Sequence, residues 1–123
     1  QVAVAPVVPG TWDARAGSGA ERSARVRARI VEARARQRRR FGVGGPGSNA
    51  EMGPGLLVRW ARPAPAAVRL VRDAEVRLAL SPRGVHRLLK VARTLADLDG
   101  ASKVEERHAA EAIHFRELDL PVD

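Results

Sequence analysis

Ser81-Pro82-Arg83-Gly84-Val85-His86-Arg87-Leu88-Leu89-Lys90-Val91-Ala92-Arg93-Thr94-Leu95-Ala96-Asp97-Leu98-Asp99-Gly100 carries the start, the body and the stop of one helix. Ser81 suits the N-cap, because its hydroxyl can accept a hydrogen bond from a free amide of the first turn. Pro82 follows at the first helical position, where its missing N–H costs nothing. Gly100 stands just past the end, where a left-handed residue closes a helix. Val85, Leu88, Leu89, Ala92, Leu95 and Ala96 fall at helical spacing and make one apolar stripe. Arg83, Arg87, Lys90, Thr94 and Asp97 fall on the opposite side.

The positive charge sits at the wrong end for stability. Arg83, His86, Arg87 and Lys90 crowd the first turns, beside the positive end of the helix dipole, at a cost of roughly 0.3–1 kcal/mol per exposed charge. Free amides together with arginine make an anion site, and phosphate is the usual anion. The competing reading is a solvated basic face in an arginine-rich protein.

Outward from this helix the chain keeps a helical pattern on both sides. Upstream, Pro65 to about Leu80 forms a helix with Val68, Leu70, Val71, Ala74 and Leu78 on its core face. Before it, Pro54 to Ala61 forms a short helix with Leu56, Leu57 and Trp60 inward, broken by Pro63 and Pro65. Downstream, Ser102 and Glu105 have the spacing of a capping box, and the last helix runs to about Phe115 with Val104, Ala109, Ala112 and Ile113 buried. His108 reads as a half-buried packing residue, and Leu118 to Asp123 as a tail. Ala20 to Arg40 is a long helix whose sparse stripe is Val26, Ile30, Ala33 and Gln37, continued by Phe41, with Val31 alongside. Nine arginines from Arg22 to Arg40 cover the rest of its surface. They read either as an arm that tracks phosphates, with Arg22, Arg25, Arg29 and Arg36 as contacts, or as a solvated helix. Gln1 to Val8 alternates loosely and is expected as the last strand of a larger sheet lying upstream. Residues 1–19 thus read as strand and loop, 20–116 as a helical domain and 117–123 as a tail.

Several function classes drop out. Without cysteine there is neither a disulfide framework nor a thiolate metal site, and three scattered histidines make no zinc site. The glycine-rich loop Gly42–Asn49 lacks the Lys-Ser or Lys-Thr of a phosphate-binding loop. No serine lies in a nucleophile elbow, and adjacent Glu105 and Glu106 point to different sides of a helix. No apolar run approaches a membrane span of about 20 residues, so no membrane contact and a cytoplasmic location are expected. The net charge of +8 points to an anionic partner, and the four aromatic residues offer no platform for single strands. An initiator methionine is also missing, which leads us to expect a larger parent chain.

Leu80 to Leu98 resembles the C-terminal region of the magnesium-chelatase-like AAA+ ATPases, and most closely that of the competence-associated branch-migration helicases. Three flanking pieces agree in order: the Arg-rich helix Ser23–Gln37, the loop Ser48-Asn49-Ala50-Glu51-Met52, and Val104–Arg116 ending in Glu-Ala-Ile-His-Phe-Arg. The resemblance implies an all-α fold, a small helical bundle serving as the C-terminal lid of an ATPase core, with Gln1–Val4 as the core's final strand. It implies that Arg83 is the sensor-2 residue touching the nucleotide γ-phosphate, in its own subunit or a neighbour's, with Arg87 and Lys90 as weaker nucleotide contacts. ATP and Mg2+ would belong to the full-length protein, with none bound by this chain alone. The implied partners are the upstream core, further copies in a ring, expected to be a hexamer, and DNA. The linker Gly42–Gly47 and the segment Trp60–Pro65 depart from the family pattern. Two other readings stay open at this point. One is an ATPase that drives magnesium insertion into a porphyrin, and the other is a free-standing arginine-rich nucleic-acid-binding module.

Overall fold

The computed structural model describes residues 19–119. The strand expected within Gln1 to Val8 lies outside them. Five α-helices follow one another: α1 (Gly19–Phe41), α2 (Pro54–Ala61), α3 (Pro65–Arg77), α4 (Pro82–Leu98) and α5 (Glu106–Asp119), with a short 3-10 turn at Asn49–Glu51 before α2. Among the described residues there is no strand, and they form an all-α bundle. Helix α4 is its centre, contacting α1, the 3-10 turn, α2 and α5, while α3 packs on α5.

The stop and start signals of α4 act as written. Ser81 Oγ accepts the Gly84 N–H at 3.1 Å, and Pro82 occupies the first turn. Gly100 takes φ +72° and closes a Schellman motif, in which its N–H donates to Asp97 O and the Ala101 N–H to Ala96 O. The stripe faces inward, with Leu88, Ala92 and Ala96 buried among Ala67, Val71, Ala74, Val104, Ala109, Ala112 and Ile113. A second cluster, Met52, Leu57 and Ala61 with Leu56, Trp60 and Phe41, meets the first at Leu89. Leu88 and Val91 share a groove with Ala112, Phe115 and Arg116, while His108 bonds Asp99 at the other end, so α4 and α5 run antiparallel.

Helix ends are where the structure departs from the sequence reading. Helix α3 stops at Arg77 rather than near Leu80, because Ala79 adopts φ +52° and makes the same Schellman closure without a glycine. The Ala79 N–H donates to Val76 O and the Leu80 N–H to Glu75 O. Helix α5 continues past Phe115 to Asp119. Its cap is not Ser102 with Glu105. The His108 and Ala109 amides donate to Glu105 O, while the Glu105 N–H donates back to His108 Nδ1 at 3.0 Å. A histidine at the third helical position thus does what a glutamate does in a capping box. Val104 is fully buried ahead of that helix, in a parallel bridge with Pro63 that ties the α2–α3 and α4–α5 connections together.

Candidate functional site

The exposed head of α4 carries the residues named for phosphate. Arg83 is exposed and makes no hydrogen bond or ion pair among the described residues; Arg87, one turn on, is likewise exposed. The capping corrects part of the anion-site argument. Pro82 has no amide and the Gly84 N–H is taken by Ser81 Oγ, so of the first-turn amides the Arg83 N–H is left over. The site therefore rests on side chains more than on the helix end. Arg87 and Lys90 come together in a groove of about 430 Å³ with Arg116, above a floor of Leu88, Val91, Ala112 and Phe115. Arg116 Nε is buried there without a partner, and Lys90 Nζ donates to Ala50 O at 3.2 Å. Arg83 stands one turn ahead of this groove and does not line it.

The other end of α4 holds charge that the sequence reading placed elsewhere. Asp97, assigned to the polar side, is fully buried, and so is Arg93. The reason is a second wall: α1 and the 3-10 turn cover that flank. Arg40 grips the Asp97 carboxylate with both terminal nitrogens, at 2.9 and 2.6 Å. Asn49 Nδ2 donates to the same carboxylate at 2.8 Å, and Arg93 approaches it at 3.1 Å. Burial alone would push the Asp97 carboxyl up. The hydrogen bonds from Arg40 and Asn49, with the charge of Arg93, outweigh it and hold the group below the usual carboxylate range. Arg93 also donates to Ser102 O at 3.0 Å and Ala101 O at 2.7 Å, fastening the chain where it leaves α4. Its own pKa is lowered, chiefly by burial. This network was missed, although Arg93 and Asp97 at i, i+4 were the signal for it.

The four arginines of α1 proposed for nucleic acid divide. Arg36 is not free, since it donates to Asp97 O at 3.0 Å and packs over Gly100, where an added Cβ would lie 3.1 Å from its guanidinium. Arg29 pairs with Asp99 at 3.4 Å. Arg22 and Arg25 lie in the exposed first half of the helix. Val26 and Ile30, read as part of the sparse apolar stripe, are 48% and 39% exposed, so the helix buries side chains only from Ala33 onward. Asp99 also takes Arg107 at 3.4 Å and His108 Nε2 at 2.8 Å. Its carboxyl is held low, first by the His108 hydrogen bond. His108 is buried rather than half-buried, and its two ring nitrogens are both occupied. Among the described residues no His, Asp and Glu group could hold a metal ion, and no helix is long and apolar enough to cross a membrane.

Comparison with known proteins gives this geometry a family. The family model described as magnesium chelatase, subunit ChlI C-terminal, matches residues 20–116. The uncharacterized protein YifB of Salmonella typhimurium is 35% identical over 111 residues, covering 90% of this chain and 21% of the relative. The uncharacterized protein Rv2897c of Mycobacterium tuberculosis is 40% identical over 97 residues, 79% of this chain and 19% of the relative. Competence protein ComM of Haemophilus influenzae is 32% identical over 113 residues, 92% of this chain and 21% of the relative. The chain thus spans about a fifth of the length of the curated relatives it matches. No solved structure matches. Capped, basic-headed α4, α2, α3 and all but the outer ends of α1 and α5 lie within the matched residues, and the chain belongs to the family described as magnesium chelatase, subunit ChlI C-terminal.

Proposed function

We propose that this chain is the sensor lid of a ring-forming AAA+ ATPase that works on DNA, with Arg83 as the residue that meets the γ-phosphate. One observation carries the reading: Arg83 is an exposed guanidinium with no partner among the described residues, at the head of the helix on which the whole bundle is built. A free arginine fork on a rigid element suits a phosphate, because it offers two parallel donors without having to break a bond first. Arg87 and Lys90 would add charge one and two turns on, and Ser81 with Pro82 fixes the angle at which the helix head is presented. ATP, in this reading, supplies the phosphoanhydride whose cleavage drives the ring, and Mg2+ is held by the upstream core. Residues of this chain would bind and sense phosphate, in the same subunit or a neighbouring one.

DNA as the substrate is supported by the name of the Haemophilus relative, a competence protein, and by the net charge of +8. The family description keeps metal insertion into a porphyrin as the second reading. The test is Arg83→Ala in the full-length protein, read by ATP turnover. Turnover is expected to be lost while the thermal unfolding of the domain is unchanged. Normal turnover would end the proposal.

A further inference from the structure

Six of the nine arginines of helix α1 fall into two groups, and the structure separates them. Arg29, Arg36 and Arg40 lie on the side of the helix next to Ala33 and are engaged with Asp99, the Asp97 carbonyl and the Asp97 carboxylate. Arg27, Arg34 and Arg38 are exposed and have no hydrogen bond or ion pair among the described residues. At about 100° per residue these three fall within roughly 40° of one another, and about 120° from Ala33. They form a single row facing solvent. Glu21 and Glu32 lie on a different side of the wheel. Glu51, which lines the groove beside Arg34 and Arg38, has its carboxylate turned to the Gly47 N–H at 3.3 Å. No hydrogen bond or ion pair among the described residues engages the row, and Arg34 and Arg38, four apart, repel each other.

The spacing of the row lets its arginines meet separate phosphates. Arg34 and Arg38 are about 6 Å apart along the axis, and Arg27 and Arg34 about 10.5 Å, at 1.5 Å per residue. At those intervals each guanidinium can meet a different phosphate of a duplex, which carries one charge per about 1.7 Å of its axis. A single strand would need stacking rings beside the cations. The neighbouring rings, Phe41 and Trp60, are half-buried and sit 5.9 and 5.7 Å from the Arg40 guanidinium.

We infer that Arg27, Arg34 and Arg38, rather than Arg29 and Arg36, form a backbone-tracking contact for duplex DNA. The inference rests on the reading of the parent ATPase as one that works on DNA, and it assigns the surface that touches the substrate.

The test measures binding of the full 123-residue chain to a labelled mixed-sequence duplex across a salt series. With three phosphate contacts removed, Arg27→Gln/Arg34→Gln/Arg38→Gln is expected to flatten the slope of log K against log salt by about 2.7. The triple lysine variant is expected to keep the slope, and Arg29→Gln/Arg36→Gln to keep it too, despite unfolding earlier. Because the three side chains face solvent, the melting curve of the triple glutamine variant should overlay that of the parent. An unchanged slope in the triple glutamine variant would overturn the inference. So would binding to anionic lipid vesicles without binding to duplex. If the full-length ATPase binds duplex and this chain does not, the inference fails alone; if neither binds, the DNA reading fails with it. The Arg83 proposal is read separately, from ATP turnover.

Discussion

The two ends of α4 handle arginine in opposite ways. At its C-terminal end Arg93, with Arg40 and Arg36 brought in from α1, is sunk against Asp97 and the carbonyls around it, and each guanidinium has a fold partner. At its N-terminal end Arg83 and Arg87 are exposed and have none among the described residues. The same residue type, on one helix, is used once to fasten three segments and once to be left available. An arginine-rich composition therefore says little about ligand binding until each guanidinium has been assigned to one use or the other.

That contrast can be broken most visibly at Asp97. Asp97→Ala leaves Arg40 and Arg93 uncompensated in the interior and is expected to cost about 3–5 kcal/mol in urea unfolding. A loss below 1 kcal/mol would mean that the network is not what holds α1 to the bundle. At the opposite end, Ser81→Ala removes a cap hydrogen bond and is expected to cost about 1 kcal/mol. Arg87→Ala beside it should change stability within about 0.5 kcal/mol, as a surface substitution does. The turn that delivers Ser81 can be improved: Ala79 is held at φ +52°, and Ala79→Gly is expected to gain about 0.5–1 kcal/mol, seen as a higher urea midpoint with an unchanged slope.

Acid should act on the fastened end. Asp97 and Asp99 are both held below their ordinary range, near 3.9 in an unfolded chain. A carboxylate of lowered pKa contributes stability that is full above the unfolded value and is lost as pH falls through the folded one. Melting temperature should therefore hold steady from neutral pH to about 5 and fall below about 4. Asp99→Asn should make that fall shallower while leaving the head of α4 untouched, and an acid limb identical to the parent's would contradict the assignment.

Helix α4 could be read almost completely from its residues, because its cap, its proline, its stripe and its closing glycine are all local signals. Both uses of glycine at position 100 are not equally local: the positive φ is written in the turn, but the Arg36 guanidinium packed over it is not. Asp97 could not be placed by periodicity. A helical wheel treats a carboxylate as a surface group, and the arginine that buries it is 57 residues away. The end of α3 was misjudged for a related reason, since an alanine gives no warning that it will adopt a left-handed turn. The cap of α5 went to His108 because Asp99 holds its Nε2, which leaves Nδ1 to accept the Glu105 amide. Of the candidate site, Arg83, Arg87 and Lys90 could be named from the chain. That Arg87 and Lys90 share a groove with Arg116, and that Arg36 is spent on the fold, depended on contacts between helices.

The most direct test sets Arg83→Ala in the full-length protein beside Asp97→Ala, with ATP turnover and thermal unfolding measured on both. A sensor role for Arg83 predicts that Arg83→Ala abolishes turnover at an unchanged melting temperature, whereas Asp97→Ala lowers the melting temperature first. Normal turnover by the Arg83 variant would contradict it.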